Sequence, residues 1–70
     1  MTRTAPWSDF SGQPIHEGDE IQHPSGERGR VVFLDAEAEP RDQWRVDYGD
    51  GLLSRLGLQI GDKGRAEVVK

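Results

Sequence analysis

The sequence contains no cysteine. Without thiols the chain can form neither a disulfide framework nor a thiolate metal site. His16 and His23 are the two histidines of the chain, and they could supply only half of a four-ligand zinc site. We therefore predict no metal and no cofactor, and we interpret His23, next to Pro24, as a residue at the end of a strand.

Catalytic motifs are absent as well. The chain has no Gly-rich phosphate loop that ends in Lys-Ser or Lys-Thr, and no G-x-S-x-G nucleophile elbow. Its serines lie in turn or strand contexts that explain them. Asp47 and Asp50 could be drawn as an acid–base pair, but an outward strand position accounts for Asp47 and a turn accounts for Asp50. The sequence predicts that the protein is not an enzyme.

Long apolar runs and an excess of positive charge are also missing. No apolar run approaches the roughly 18 residues of a membrane span, and no signal-peptide pattern opens the chain, so we expect a cytoplasmic protein without membrane contact. The formal net charge is −4 at pH 7. This charge disfavours a general affinity for phosphate backbones, which usually requires a basic face. The negative net charge favours a protein partner and does not exclude a local basic patch.

What is present is a short chain rich in turn-forming residues. Its 70 residues predict one domain, and its nine glycines and four prolines suit many turns better than long helices. A domain of this size buries only about 60% of its unfolded surface, so its stability margin is small. Hydrophobic residues make up 33% of the chain, which is enough for a barrel with a thin core.

The strand signals begin at residues 18–34, GDEIQHPSGERGRVVFL. Residues 20–23 alternate with the period of two that is typical of a half-buried strand. Pro24 and Gly26 then favour a tight turn, because Pro fixes φ and Gly reaches turn conformations that other residues avoid. Residues 31–34 form an unbroken apolar run that begins with two β-branched valines, and this run predicts the most buried strand.

The second half of the chain contains a clearer hairpin. Within residues 43–48, Trp44, Val46 and Tyr48 share one face, and the residues between them share the other. Residues 49–51, Gly-Asp-Gly, favour a hairpin turn, residues 52–56 predict the returning strand, and residues 66–69 predict a last short strand. Residues 35–42 are acidic and have no apolar stripe, so we expect a solvated loop there.

About five short strands separated by turns predict an all-β fold, a small SH3-like (Tudor-like), partly open barrel of about five antiparallel strands. Ile15 should point inwards, and curling the sheet would bring the other apolar side chains together. We expect that core to contain Ile21, Val31, Phe33, Trp44, Val46, Leu52, Leu56 and Val68. Residues 1–14 would be a flexible leader and residues 15–70 the barrel. Within the leader, Trp7 and Phe10 either cover the core or contact a partner.

Residues 18–31 read G-D-x-I-x-H-P-x-G-x-x-G-x-V. They resemble the small Tudor-like barrel at the C-terminus of UvrD- and PcrA-type helicases, which reads approximately G-D-x-V-x-H-P-x-F-G-x-G-x-V. Residues 44–51 and the following Ser54-Arg55-Leu56 resemble the V-x-F-x-x-G stretch and the K/R-x-L strand of the same module. Ser25 stands where that family has Phe. The resemblance implies a protein-binding module of bacterial or phage origin, with a partner such as RNA polymerase.

A second resemblance implies another class of protein. The G-D-x-I opening and the Ser25-Gly26 turn are similar to the type II, plasmid-borne dihydrofolate reductases. Those proteins are SH3-like barrels whose Val-Gln-Ile-Tyr segment lines a pore shared by four subunits. Residues 58–61, Leu-Gln-Ile-Gly, match its first three positions in type but lack the Tyr. An oligomeric reductase is therefore a remote alternative.

Two sets of side chains are candidate binding residues. The first is a stripe of arginines that would point outwards from neighbouring strands towards phosphates or an acidic partner: Arg28, Arg30, Arg45 and Arg55. The alternative is scattered solubilising charge, paired with Glu27, Asp47 and Asp50. The second set is an aromatic cage for a cationic side chain, or else part of the core: Phe33, Trp44 and Tyr48, with Tyr48 the most exposed.

We predict a non-enzymatic module that binds a protein partner, from the transcription or nucleic-acid machinery. The residues expected to bind it are Arg28, Arg30, Arg45, Tyr48, Asp50 and Arg55. The alternative is direct binding of nucleic acid through the same arginines. Open edge strands could also pair between copies, and the sequence leaves the oligomeric state open.

Overall fold

The computed structural model describes residues 3–49, 51–62 and 64–69. Within these ranges the chain forms short strands and two helices of about one turn each. In chain order they are β1 (Thr4–Ser8), β2 (Pro14–His16), β3 (Glu20–Gln22), β4 (Arg28–Phe33), α1 (Pro40–Gln43), β5 (Trp44–Asp47), β6 (Leu53–Arg55), α2 (Leu56–Ile60) and β7 (Glu67–Val68). The protein is therefore mostly β, as its turn-rich sequence predicts.

The strands form two antiparallel sheets. β1 pairs with β2, and the other five strands form a sheet in the order β6-β5-β4-β3-β7. β4 lies at the centre of this sheet, where Gly29 opposes Ile21 of β3 and Val31 opposes Val46 of β5. Within the described residues, β6 and β7 are the two edge strands and do not pair with each other, so the sheet is open. The predicted all-β class and antiparallel pairing are confirmed, and the SH3-like barrel type stays a prediction.

The register assigns every second side chain of the sheet to the core. On the inner face, Val31 and Val46 oppose each other on the two central strands, and Phe33 opposes Trp44. The buried core consists of Ala5, Ile15, Ile21, Val31, Trp44, Val46, Leu56, Ile60 and Ala66. Trp7, Phe33, Tyr48 and Val68 are partly buried and pack against it. The expected core is thus largely confirmed. The two short helices are not part of the sheet.

Gly29 lets the Tyr48 side chain approach the central strand closely. A Cβ at position 29 would lie 2.5 Å from Val46 Cγ1 and 2.8 Å from Tyr48 Cδ1. Real Cβ atoms do not come that near to their neighbours, because van der Waals repulsion is steep at such distances. The glycine therefore provides the space in which the Tyr48 ring lies against β4.

The expectation of a loose leader is corrected, because Thr4–Ser8 forms strand β1. This strand pairs with β2 and contributes Ala5 to the core. Trp7 packs against the core, as expected of a cover, whereas Phe10 stays 47% exposed. The guanidinium of Arg65 lies 5.8 Å from the centre of the Phe10 ring. Sequence reasoning missed β1 because Ala5 and Pro6 are residue types depleted in strands and only Ala5 of this strand is fully buried.

Asp9, directly after β1, is the buried charged residue of this end of the molecule. Its carboxylate accepts hydrogen bonds from Ser11 N and Oγ, Gln13 N and Val68 N, at 2.7–3.0 Å. Burial alone would raise the pKa of Asp9, but these hydrogen bonds outweigh it and hold the pKa below its ordinary value. One carboxylate therefore connects the β1–β2 turn to the last strand.

Three further expectations about the second half need correction. Leu52, assigned to the core, is 70% exposed, because the returning strand begins only at Leu53. The strand after the acidic segment begins at Trp44, since Gln43 ends helix α1. The chain then turns into helix α2 directly after β6, where the sequence had given no helix signal. Alternation locates the strands, but their ends depend on tertiary packing.

Candidate interaction surface

Four arginines lie together on the outer surface of three neighbouring strands. Arg28 and Arg30 are on β4, Arg45 is on β5 and Arg55 is on β6. Arg45 and Arg55 oppose each other in the register of β5 and β6. We call the outer surface of β4, β5 and β6 that carries these four residues the arginine face. The structure thus assembles the stripe that the sequence predicted from strand alternation.

Carboxylates lie beside the two arginines of β4. Arg28 Nη1 is 3.2 Å from Glu20 Oε2 on β3, and both side chains are about half exposed. Arg30 stands between Glu20 and Asp47 in the registers of β3, β4 and β5. It is exposed and makes no ion pair with any residue that the structure describes. Among the described residues, Arg30 is therefore the cation of the arginine face that has no carboxylate within ion-pair distance.

Asp42 contacts the other two arginines of the arginine face, Arg45 and Arg55. It belongs to α1, whose first position is Pro40, a residue preorganised for the first helical turn. Asp42 Oδ1 lies 3.0 Å from Arg55 Nη2 and 3.8 Å from Arg45 Nη2. Arg45 also donates hydrogen bonds to the carbonyl oxygens of Asp42 and Leu53, at 2.8 Å and 3.2 Å. Arg45 is therefore fixed in place, and only 21% of its side chain is exposed.

Exposed leucines adjoin the arginine face. Leu53 opposes Asp47 at the edge of the face, and Leu58 on α2 follows Arg55 by three residues. These two residues and Leu52 are three of the four large apolar side chains that the structure shows as exposed, the other being Phe10. Arginine is enriched at protein–protein interfaces, and exposed apolar patches rimmed by polar residues mark interaction sites.

Tyr48 does not belong to the arginine face. Its ring is half-buried on the inner side of the sheet, and its hydroxyl donates a 2.8 Å hydrogen bond to Gln59 Oε1 on α2. Burial, followed by the charge of Glu27, raises the pKa of the Tyr48 hydroxyl. Asp50, also predicted to bind the partner, lies outside the described residues.

The three aromatic side chains do not converge on one cage. Phe33 and Trp44 meet edge to face, with ring centres 5.1 Å apart. Tyr48 follows Trp44 by four residues, which along an extended strand is about 13 Å. The guanidinium of Arg3 lies 4.3 Å from the centre of the Phe33 ring and forms an ion pair with Glu17. The rings pack against the core, and a cation of the chain itself covers Phe33.

The described part of the chain lacks both a cluster of metal-ligating side chains and a helix able to span a membrane. Residues 3–49, 51–62 and 64–69 contain no group of three or more His, Cys, Asp or Glu side chains that could hold a metal ion. Neither helix within those ranges has the length or apolar character needed to cross a bilayer.

Sequence reasoning found the arginines and missed their partners. The pairing that it considered was with Glu27, Asp47 and Asp50, whereas the structure pairs Arg28 with Glu20 and Arg55 with Asp42. A signal for Asp42 was available, since it precedes Arg45 by three residues. The Arg55 contact spans thirteen positions of sequence and depends on how β6 returns beside β5.

The chain was compared with protein-family models, with curated proteins and with solved structures, and no match was found. The resemblances to helicase-associated Tudor-like barrels and to type II dihydrofolate reductases therefore stay predictions. Residues 58–60, which carry the second resemblance, lie in α2, where Gln59 accepts the Tyr48 hydrogen bond.

Proposed function

We propose that this protein is a non-enzymatic interaction module that binds a protein partner through the arginine face. The observation that carries the proposal is the composition of that surface. Arg28 and Arg55 each have a carboxylate within 3.2 Å, and Leu53 and Leu58 lie exposed beside them. Such a mixture suits a partner that presents both charges and apolar side chains.

Direct binding of nucleic acid through the same arginines is the second candidate. The exposed position of Arg30, which forms no ion pair with a described residue, favours it. Against it stand Glu20, Asp42 and Asp47, which lie between or beside the arginines. Fixed negative charges at those positions would repel a phosphate backbone and lower its affinity. We therefore rank the protein partner first, and the resemblance to helicase-associated modules supports a partner in the transcription machinery.

The first experiment is a titration of isotope-labelled protein with short duplex and single-stranded DNA at about 20 mM salt, followed by nuclear magnetic resonance. We expect no shifts at the amides of Arg28, Arg30, Arg45 and Arg55. Shifts at these amides that decline log-linearly as salt rises would establish nucleic-acid binding and overturn the proposal.

The second experiment captures partners from a bacterial lysate with the wild-type protein, an Arg30→Gln variant and an Arg65→Gln control. Arg65 precedes β7, at the opposite edge of the sheet from β6. A captured protein is then purified and its affinity for each variant is measured. We expect Arg30→Gln to weaken binding about tenfold and Arg65→Gln to leave it unchanged. Equal binding of both variants would contradict the role of the arginine face.

A further inference from the structure

A cleft adjoins the arginine face at Arg55. It is lined by Arg41 of α1, Arg55 at the end of β6, and Gly57 and Leu58 of α2, and its volume is about 250 Å³. Pockets that hold drug-sized ligands start at about 300 Å³. The cleft is thus of a size that holds one or two side chains of a peptide. We call it the Arg41–Arg55 cleft.

The two guanidinium groups of the cleft retain donors for a ligand. Arg41 lies 2.9 Å from Glu39 Oε2 and Arg55 lies 3.0 Å from Asp42 Oδ1, and 72% and 50% of their side chains are exposed. A guanidinium has five N–H donors, so one carboxylate contact leaves most of them free. Exposed ion pairs of this kind contribute little stability, and a ligand can replace or join them at low cost.

The floor of the cleft is apolar and open. Leu58 is 66% exposed, although its neighbours two positions away on α2, Leu56 and Ile60, are buried in the core. A Cβ at Gly57 would meet no atom within 4 Å, so the space above this glycine is empty. An aliphatic side chain placed over Gly57 would therefore cover Leu58 and remove apolar surface from water.

We propose that the Arg41–Arg55 cleft binds an acidic peptide segment in which an Asp or Glu side chain adjoins a leucine-sized apolar side chain. The carboxylate lies between the guanidiniums of Arg41 and Arg55, and the apolar side chain lies on Leu58. A carboxylate suits the site better than a phosphate, because Glu39 and Asp42 already contact these arginines and repel a doubly charged group more strongly. The inference rests on the proposed function and names the chemistry of the partner.

The test uses a heptapeptide blocked at both ends, with Leu-Asp-Leu at its centre and Gly and Ser around it. Titrated into labelled protein, it should shift the amides of Arg55, Gly57 and Leu58, with a dissociation constant on the order of 1 mM. Matched peptides with Leu-Asn-Leu or Ala-Asp-Ala centres should bind at least about tenfold more weakly. Equal affinity for the Asp and Asn peptides, or no shift at the cleft amides, overturns the proposal.

Variants of the protein localise the binding. Arg41→Gln and Arg55→Gln should each weaken the Leu-Asp-Leu peptide about tenfold. Arg3→Gln is the matched control, since Arg3 also forms an exposed ion pair, with Glu17, and lies outside both the cleft and the arginine face. Amide signal dispersion checks that each variant is folded, and Arg41→Gln on the exposed helix changes the fold least. Equal weakening by Arg3→Gln would show general charge attraction and overturn the proposal.

Two further outcomes separate the possible failures. Cleft amides that shift with protein concentration alone would show that a second copy of the chain occupies the cleft. If the peptide does not bind while Arg30→Gln still weakens a captured protein, only the inference about the cleft fails. If the peptide does not bind and Arg30→Gln has no effect either, the proposed function fails with it.

Discussion

The β1–β2 turn and the junction of α1 with β5 each depend on one aspartate, and the two carboxylates are held in opposite ways. Asp9 is 5% exposed and accepts hydrogen bonds from three backbone amides and one hydroxyl. The Asp42 side chain is 25% exposed and faces two arginines on the open surface. Backbone donors stay in place as long as the chain is folded, whereas the half-exposed side chain of Arg55 can turn to another acceptor. The first region is therefore structural, and the second can exchange its partners.

The largest expected effect comes from Asp9→Ala. Removing the carboxylate leaves the amides of Ser11, Gln13 and Val68, which make partly buried hydrogen bonds to it, without an acceptor. We expect a loss of about 3 kcal/mol in the free energy of unfolding. Urea denaturation of the purified variants measures it. Asp62→Ala, at an exposed aspartate in a turn, is the control and should cost less than about 0.5 kcal/mol. A loss at Asp9 as small as that of the control would contradict the structural role.

Gly29→Ala tests the packing of the Val46 and Tyr48 side chains against strand β4. The added methyl group would collide with Val46 and Tyr48, so we expect a loss of about 2 kcal/mol, measured by the same denaturation. Gly57→Ala is the matched control, because a Cβ there meets no atom and alanine favours a helix. We expect Gly57→Ala to be neutral or to stabilise by up to about 1 kcal/mol. If both variants behave alike, the Tyr48 ring does not need the space at Gly29.

Acid should remove the contribution of Asp9 to stability. The pKa of Asp9 lies below its ordinary value of 3.8, so its contribution to stability is complete above that pH and is lost as pH falls through the lowered pKa. We expect the wild-type protein to lose stability more steeply than Asp9→Asn below about pH 4. Urea denaturation at a series of pH values gives the two slopes. Parallel slopes would mean that Asp9 titrates normally in the folded protein.

The smallest expected effect is that of Asp42→Ala. An ion pair at a partly exposed position is worth up to about 1 kcal/mol, so the variant should lose no more than that. The loss should shrink further in about 0.5 M salt, because salt screens exposed charges. A loss comparable to that of Asp9→Ala would remove the distinction between a structural and an exchangeable carboxylate.

Much of the fold could be predicted from local patterns. Alternation located β3 and β5, the turn residues placed the hairpin before β6, and the apolar positions gave most of the core. The arginine face also followed from alternation, because residues two apart on a strand share a face and antiparallel pairing aligns them. What alternation could not give was the end of each strand. Leu52 was assigned to the core because its neighbours are apolar, yet the strand begins one residue later.

The hydrogen-bond and ion-pair partners of the charged residues could not be predicted from the sequence, for a different reason. Asp9 accepts a hydrogen bond from Val68 N, 59 positions away. Arg55 pairs with Asp42 of helix α1, in a segment for which we predicted a solvated loop. Ser and Gly two and three positions after Asp9 did indicate a turn that an aspartate side chain can stabilise. They did not indicate that the same carboxylate would also reach the last strand.

By itself the sequence determined the all-β class, the antiparallel pairing and the grouping of four arginines on one face, because these properties depend on the period of a strand and on turn residues. Only the tertiary structure decided which carboxylate is buried, which arginines stay available and where a cleft opens between α1, β6 and α2. Those properties depend on contacts between segments distant in sequence. Such contacts form only when the whole core packs.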